Sequence, residues 1–150
     1  MKKGISVIIC CYNSEERIKP TLEHLKNQKI HSSLSWEIIL VDNNCTDLTV
    51  DVAKDIWRTS NNGVDFNIIT ETLPGLSHAR KKGVFAANYN TLIFCDDDNW
   101  LDENYIQTAY EILLNNKRIG ALGGKGEAVT ASPLPSWFPE YQSGYAVGEQ

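Results

Sequence analysis

The chain has 150 residues, 14 Lys+Arg against 19 Asp+Glu, and a formal net charge of −5. That is the length of one domain, with enough interior to fold without a disulfide or a structural metal. With 42% hydrophobic and 22% charged residues, it is not a disordered chain, a collagen-like repeat or a small disulfide scaffold. No apolar run approaches a membrane span, and the acidic balance gives no footing for electrostatic binding of nucleic acid.

Met1-Lys2-Lys3 looks like the start of a signal peptide, but the apolar stretch Ile5–Cys11 is too short and no small-residue cleavage site follows. That stretch is a continuous β-rich run, the pattern of a strand buried on both faces. Asn13-Ser14-Glu15-Glu16 is a helix-start signal, with Asn13 as the expected cap. The helix is predicted to reach about Gln28, with Ile18, Leu22 and Leu25 on one face and Pro20 in its first turn. Trp36–Val41 reads as the second strand, and Thr46-Asp47 as the cap of a helix through Val50, Ala53 and Trp57. Phe66–Ile69 is a short third strand, Leu73–Leu76 a loop, and Ser77–Ala87 a helix. Thr91–Cys95 is the fourth strand, running into Asp96-Asp97-Asp98. Asp102–Asn116 is a strongly amphipathic helix, and Ile119–Leu122 is expected to be a fifth strand.

This alternation predicts an α/β fold, a mostly parallel sheet with helices on both faces and right-handed crossovers. Composition shifts after Gly123-Gly124, where Gly, Pro, Ser and aromatic residues dominate. In open α/β sheets ligands sit beyond the carboxyl ends of the strands. The residues to read are therefore Tyr12-Asn13-Ser14, Asp42 to Asp47, Glu71-Thr72 and Asp96 to Asn99, a polar and acidic rim.

Adjacent carboxylates repel one another unless something positive lies between them. The triplet Asp96-Asp97-Asp98 therefore has two readings. It holds a hard divalent cation through oxygen ligands, or it is an acidic turn favoured before the next helix. The four cysteines, Cys10, Cys11, Cys45 and Cys95, form no CxxC pair. Cys10, Cys11 and Cys95 read as small buried hydrophobes, while Cys45 lies in a polar loop with no histidine placed to activate it. No G-x-G-x-x-G or P-loop motif is present. A receiver domain would carry acidic residues where Tyr12-Asn13 stand. A haloacid-dehalogenase-type phosphatase would carry Thr or Val where Trp100 stands.

Four segments, in this order, resemble the family 2 glycosyltransferases of the GT-A fold. They are Ser6–Asn13, Val41–Asp47, Gly75–Gly83 and Phe94–Asp98, and the likeness covers about residues 4–125. The resemblance implies a nucleotide-sugar-binding core over 1–124 and the incomplete start of an acceptor-side segment over 125–150. The expectation is a truncated GT-A fold, the donor-binding half of a longer enzyme. The family moves a sugar from a nucleoside diphosphate, most often UDP, to an acceptor hydroxyl with inversion. By resemblance Cys11, Tyr12, Asn13 and Asp42 lie at the nucleotide, with Asp42 on the base. Arg80 lies near the diphosphate or ribose, and Asp96 or Asp97 reaches the ribose. Asp98 binds the metal, Mn2+ or Mg2+. Lys81 departs from the Asn usual in that segment, Asp47 reads as a cap before a ligand, His78 as structural or exposed, and Trp100 as a packing residue before a sugar platform.

No E-D or Q-x-x-R-W motif is found, so no catalytic base is assigned. Glu127 is a candidate only for sugar contact. The implied partners are the donor and a saccharide or lipid-linked saccharide acceptor, with no nucleic acid. Apolar residues near Trp137 and Phe138 offer a surface for a homodimer. The expected setting is cytoplasmic or at the cytoplasmic face of the membrane, in polysaccharide biosynthesis. The alternative is a non-catalytic module that binds nucleotide sugar or presents an interaction surface. A nucleotidyltransferase would need a Gly-rich loop with Arg after the first strand, which Tyr12-Asn13-Ser14-Glu15 is not.

Overall fold

Strand β1, Lys2–Cys11, is the spine of the sheet. Its run Gly4–Ile9 is buried without a break, as expected of a strand with neighbours on both edges and helices on both faces. Ile5, Val7, Ile8 and Ile9 are each at most 1% exposed, and each such side chain contributes roughly 1.5–3 kcal/mol of transfer free energy. The computed structural model describes residues 2–60 and 63–148.

Helix α1 (Ile18–Lys26) leads to β2 (Trp36–Asp42), α2 (Thr49–Arg58) to β3 (Asp65–Thr70), α3 (Leu76–Ala86) to β4 (Tyr89–Asp96), and α4 (Tyr105–Asn115) follows. The sheet order is β3-β2-β1-β4, and every pairing is parallel. Strand order runs one way from β1 through β3 and then reverses to β4. With right-handed crossovers this puts α1 and α2 on one face and α3 on the other. Accordingly α1 packs on α2, while Ala79 of α3 joins Ile8, Ile39 and Val41 on the opposite face. Gly83 makes that approach possible, because a Cβ there would run into the Ile8 side chain and crowd Val41.

A buried carboxylate ties the lower part of the sheet together. Glu37 of β2 is 1% exposed. Its Oε1 accepts the Ser6 hydroxyl at 2.6 Å and the Asn88 N–H at 2.7 Å, and its Oε2 accepts Asn88 Nδ2 at 2.7 Å. Burying a carboxylate is costly unless hydrogen bonds replace its water; here they link β1, β2 and the lead-in to β4. Gln28, beyond the end of α1, donates to the Asp102 carbonyl at 2.7 Å and accepts the Ile106 N–H at 3.2 Å, docking the start of α4.

Four expectations need correction. Ile119–Leu122 is not a strand but part of an irregular segment. Its four apolar residues have no partner strand among the described residues, and isolated pairing that short does not hold. Helix α1 starts at Ile18, after a turn in which the Ser14 carbonyl accepts the Arg17 and Ile18 N–H groups; Pro20 does sit in the first turn. Asn13 does not cap it, since the capping residue, Arg17, makes no side-chain cap. Helix α2 begins three residues beyond Thr46, and of the expected Thr46-Asp47 cap it is Asp47 that serves its start, accepting the Thr49 N–H at 3.1 Å.

Contacts divide the chain into two units, residues 1–114 and 115–150, a division that precedes the composition shift at Gly123-Gly124. In the second unit a short helix α5 (Phe138–Tyr141) runs into a 3-10 turn over Gln142–Tyr145. Trp137, Phe138, Tyr141 and Tyr145 cluster there, with Phe138 and Tyr145 centroids 5.6 Å apart. Among the described residues no helix is long and apolar enough to cross a membrane.

Candidate functional site

Parallel register brings the strand ends into one row. Cys11 pairs with Asp42 and Asp42 with Thr70, while Asp96 lies opposite Cys10. Tyr12, Asn13, Asp47, Asp97 and Asp98 lie in the loops leaving this row, and Arg80 lies on α3 beside it.

Tyr12 is 61% exposed. Asn13 follows at φ 50°, a left-handed conformation that asparagine tolerates better than most residues. Its Oδ1 accepts the Thr46 N–H at 2.8 Å. The contacts that join the loop after β1 to the loop after β2 and the start of α2 include this one, the Ser14 N–H to Thr49 Oγ1 at 2.7 Å, the Glu15 N–H to Asp47 Oδ2 at 3.1 Å, and the Leu48 N–H to Glu15 Oε2 at 2.8 Å. Asp47 Oδ1 also accepts the N–H and hydroxyl of Thr49, the first residue of α2. Slight burial works against the ionised form of Asp47, but the bonds from Thr49 and Glu15 outweigh it and hold the carboxyl below its usual value. Asp47 therefore serves the start of α2 and the β1 loop together.

Asp42 uses Oδ1 to accept the Cys45 N–H at 2.9 Å. Beside it, Asn43 is 5% exposed and fully employed. Its Nδ2 donates to the carbonyls of Glu71 at 2.9 Å and Leu73 at 2.7 Å, and its Oδ1 accepts the Gly75 N–H at 2.8 Å. The loop between β3 and α3 is thereby held against the strand ends. Gly75 takes φ 127° at the cap position of α3, a conformation that favours glycine.

Between these loops lies a cleft of about 250 Å³, bordered by Cys10, Cys11, Tyr12, Asn43, Gly75 and Leu76. Burial, against a smaller opposing effect of Arg80, pushes the Cys10 thiol up to about 11; burial likewise raises Cys11, and Cys95 to about 12. Protonated near neutral pH, the Cys10 and Cys11 thiols give the cleft an apolar floor. Cys45 is also raised by burial.

Charge gathers at the end of β4. Arg80 of α3 reaches Asp96 Oδ1 at 3.3 Å, and its guanidinium carbon lies 5.5 Å from the Phe94 ring centroid. Asp97 Oδ2 accepts Arg17 Nη2 at 2.9 Å and the Ser14 hydroxyl. Asp98 is exposed and makes no hydrogen bond or ion pair among the described residues. Trp100 stacks on His24 of α1 at 5.5 Å. His78 is exposed, and Lys81 lies 6.0 Å from the Phe85 centroid.

Among the described residues no three His, Cys, Asp or Glu side chains are grouped to hold a metal. An all-protein cage is therefore not built here. The donor set is instead a free, exposed carboxylate with only oxygen to offer, flanked by another exposed carboxylate that Arg80 partly neutralises. That fits a hard cation whose coordination is completed by phosphate and water, as is usual for Mg2+.

Arg17, Ser14 and Asn43 were not singled out in the sequence as site residues. Nothing local in the sequence marks Arg17, because its partner Asp97 lies 80 positions away. Asn43 stands in the strand-end row, which was its one visible signal.

The sequence profile of the family described as "Glycosyl transferase family 2" matches residues 6–140. EpsH of Bacillus subtilis, a glycosyltransferase by name, is 31% identical over 104 residues, 69% of this chain and 28% of that protein. The crystal structure of Staphylococcus aureus TarS residues 1–349 in complex with UDP superposes with a TM-score of 0.71 at 20% identity, over 89% of this chain and 38% of that one. The mannosyltransferase PcManGT of Pyrobaculum calidifontis, in complex with GDP-Man and Mn2+, superposes with a TM-score of 0.58 at 22% identity, over 65% of this chain and 28% of that one. At such identities the likeness to solved structures speaks to the fold. The chain spans 28% of the length of its curated relative EpsH.

Proposed function

Since the chain belongs to glycosyltransferase family 2, we propose that it binds a nucleoside-diphosphate sugar, with UDP as the nucleotide, along the carboxyl edge of its sheet, as the donor half of an inverting transferase acting on a saccharide hydroxyl. The observation that carries this reading is the meeting of an apolar cleft, an Arg and a free carboxylate on one edge. A nucleotide sugar needs all three: a flat base to cover, a diphosphate to neutralise and a cation to share.

The base enters the cleft beside Tyr12 over the floor of Cys10 and Cys11. Asp42 has one oxygen fixed by the Cys45 N–H, which leaves the other to accept the uracil N3–H. Asn13 stands beside the ribose, its side chain already holding the loop. Arg80 turns from Asp96 toward the diphosphate, which frees Asp96 for ribose hydroxyls. Asp98 would hold Mn2+ or Mg2+, which when bound supplies positive charge against the charge growing on the leaving diphosphate. The solved complex of PcManGT with GDP-Man and Mn2+ supports a metal in this role. No group here is assigned as general base, so the chain is expected to bind donor and to transfer slowly or not at all.

Calorimetric titration with UDP tests the reading. Affinity is expected to rise about tenfold or more when Mn2+ is added, which corresponds to about 1.4 kcal/mol, and Asp98→Ala is expected to lose that gain. Binding indifferent to Mn2+, or an Asp98→Ala variant that keeps the full gain, overturns it.

A further inference from the structure

The three carboxylates after β4 do different work. The Asp97 side chain is only 13% exposed, against 52% for Asp96. Its Oδ2 accepts Arg17 Nη2 at 2.9 Å and the Ser14 hydroxyl, and its main-chain carbonyl accepts Thr21 Oγ1 at 3.0 Å. The turn itself closes when the Asn99 N–H meets the Asp96 carbonyl at 3.1 Å. Asp97 is thus fastened by side chain and backbone to α1 and the loop before it, while Asp98 is left exposed. The same Arg17 guanidinium reaches the Tyr12 carbonyl and Ser14 Oγ, each at 3.4 Å. One cation therefore spans the loop that borders the cleft and the turn that carries the acidic triplet.

We infer that Arg17, with Ser14, is a positioning residue that takes Asp97 out of ligand service and sets the turn so that Asp98 faces a cation-bound diphosphate. The inference rests on the donor-binding reading above and deepens it, since it moves Asp97 from ribose contact to anchor. The electrostatics favour this division. Pairing the middle carboxylate with a cation lowers the repulsion on its two neighbours. Without Arg17, Asp97 is an uncompensated charge and a competing oxygen ligand on a loosened turn. An ion pair with its arginine 49% exposed adds little to global stability, so the loss is expected in the coupling between metal and nucleotide rather than in folding.

The test is UDP titration of the 150-residue chain with and without Mn2+, taking the ratio of the two dissociation constants, with thermal melting alongside. Arg17→Ala is expected to cut that ratio about fivefold or more while metal-free UDP affinity and melting temperature stay near wild type. Arg17→Lys recovers part of the loss, because an ammonium reaches Asp97 but does not span both loops. In the Arg17→Ala background Asp97→Asn adds little further loss, since the two residues act as a unit. An Arg17→Ala ratio equal to wild type overturns the inference while leaving donor binding intact. An equal loss of metal-free affinity also overturns it, as it marks a general defect. A wild-type chain with no Mn2+ dependence overturns the donor-binding reading and this inference together.

Discussion

Asn43 is a small side chain with a large structural share. It satisfies two carbonyls and one N–H of the loop that leads into α3, and it borders the cleft. Asn43→Ala would take their partner from the Leu73 carbonyl and the Gly75 N–H and leave the Glu71 carbonyl with the Asn44 amide alone, and the expected cost is about 1–2 kcal/mol, seen as a lower midpoint in urea. UDP affinity should fall with it, because the Leu73–Leu76 wall loses its anchor. Asp47 gives a pH signature. Its folded value lies below its unfolded one, so the stability it contributes is present above the unfolded value of about 3.9 and is lost as pH falls through the folded value. The melting-temperature gap between wild type and Asp47→Asn is therefore widest near neutral pH and closes below about pH 4. A gap that stays constant down to acid would mean that Asp47 acts without its charge.

At the scale of elements, close packing and buried polar groups set what each strand and helix tolerates. Gly83→Ala places a methyl group against Ile8 and Val41, and overpacking of this kind costs about 1–3 kcal/mol. Since Ala79 lies one turn earlier on the same helix at the cleft, UDP binding should weaken in parallel. Glu37→Gln keeps the shape but sets an amide N–H2 against an Asn88 donor, so a loss of about 1–3 kcal/mol is expected in denaturant melts, with Glu37→Ala lower still. The four strands were legible in the sequence as β-rich apolar runs bounded by polar turns, and α1, α2 and α4 by their helical spacing of apolar residues, while α3 was placed by the loop before it and the strand after it. Ile119–Leu122 misled because a short apolar stretch ahead of Gly123-Gly124 resembles a strand only until a pairing partner is sought. The clamps between loops were illegible for another reason. Asn13 with Thr46 or Arg17 with Asp97 pair residues 33 and 80 positions apart, and nothing local in the sequence marks a partner so distant.

For the chain as a whole, the net charge of −5 has a partly local origin. Asp42, Asp47, Glu71 and the triplet Asp96–Asp98 lie on or beside the strand ends, and Arg17 and Arg80 meet only part of that charge. Asp42, Arg80 and the triplet Asp96–Asp98 all lie in the unit over residues 1–114. The general position of the candidate site was readable from the sequence, because the carboxyl edge of a parallel sheet is where ligands bind. What each carboxylate does there was not, because that depends on which cation folds back onto it.

Backbone amide shifts on titration with UDP and Mg2+ are the most direct test of whether UDP occupies this edge. The shifted amides are expected to cluster at Tyr12–Ser14, Asp42–Cys45, Gly75–Arg80 and Asp96–Asn99, with the amino ends of the strands near Lys26, Leu34 and Trp36 unmoved. Shifts centred on those amino ends, or none at saturating UDP, would contradict UDP binding at this edge.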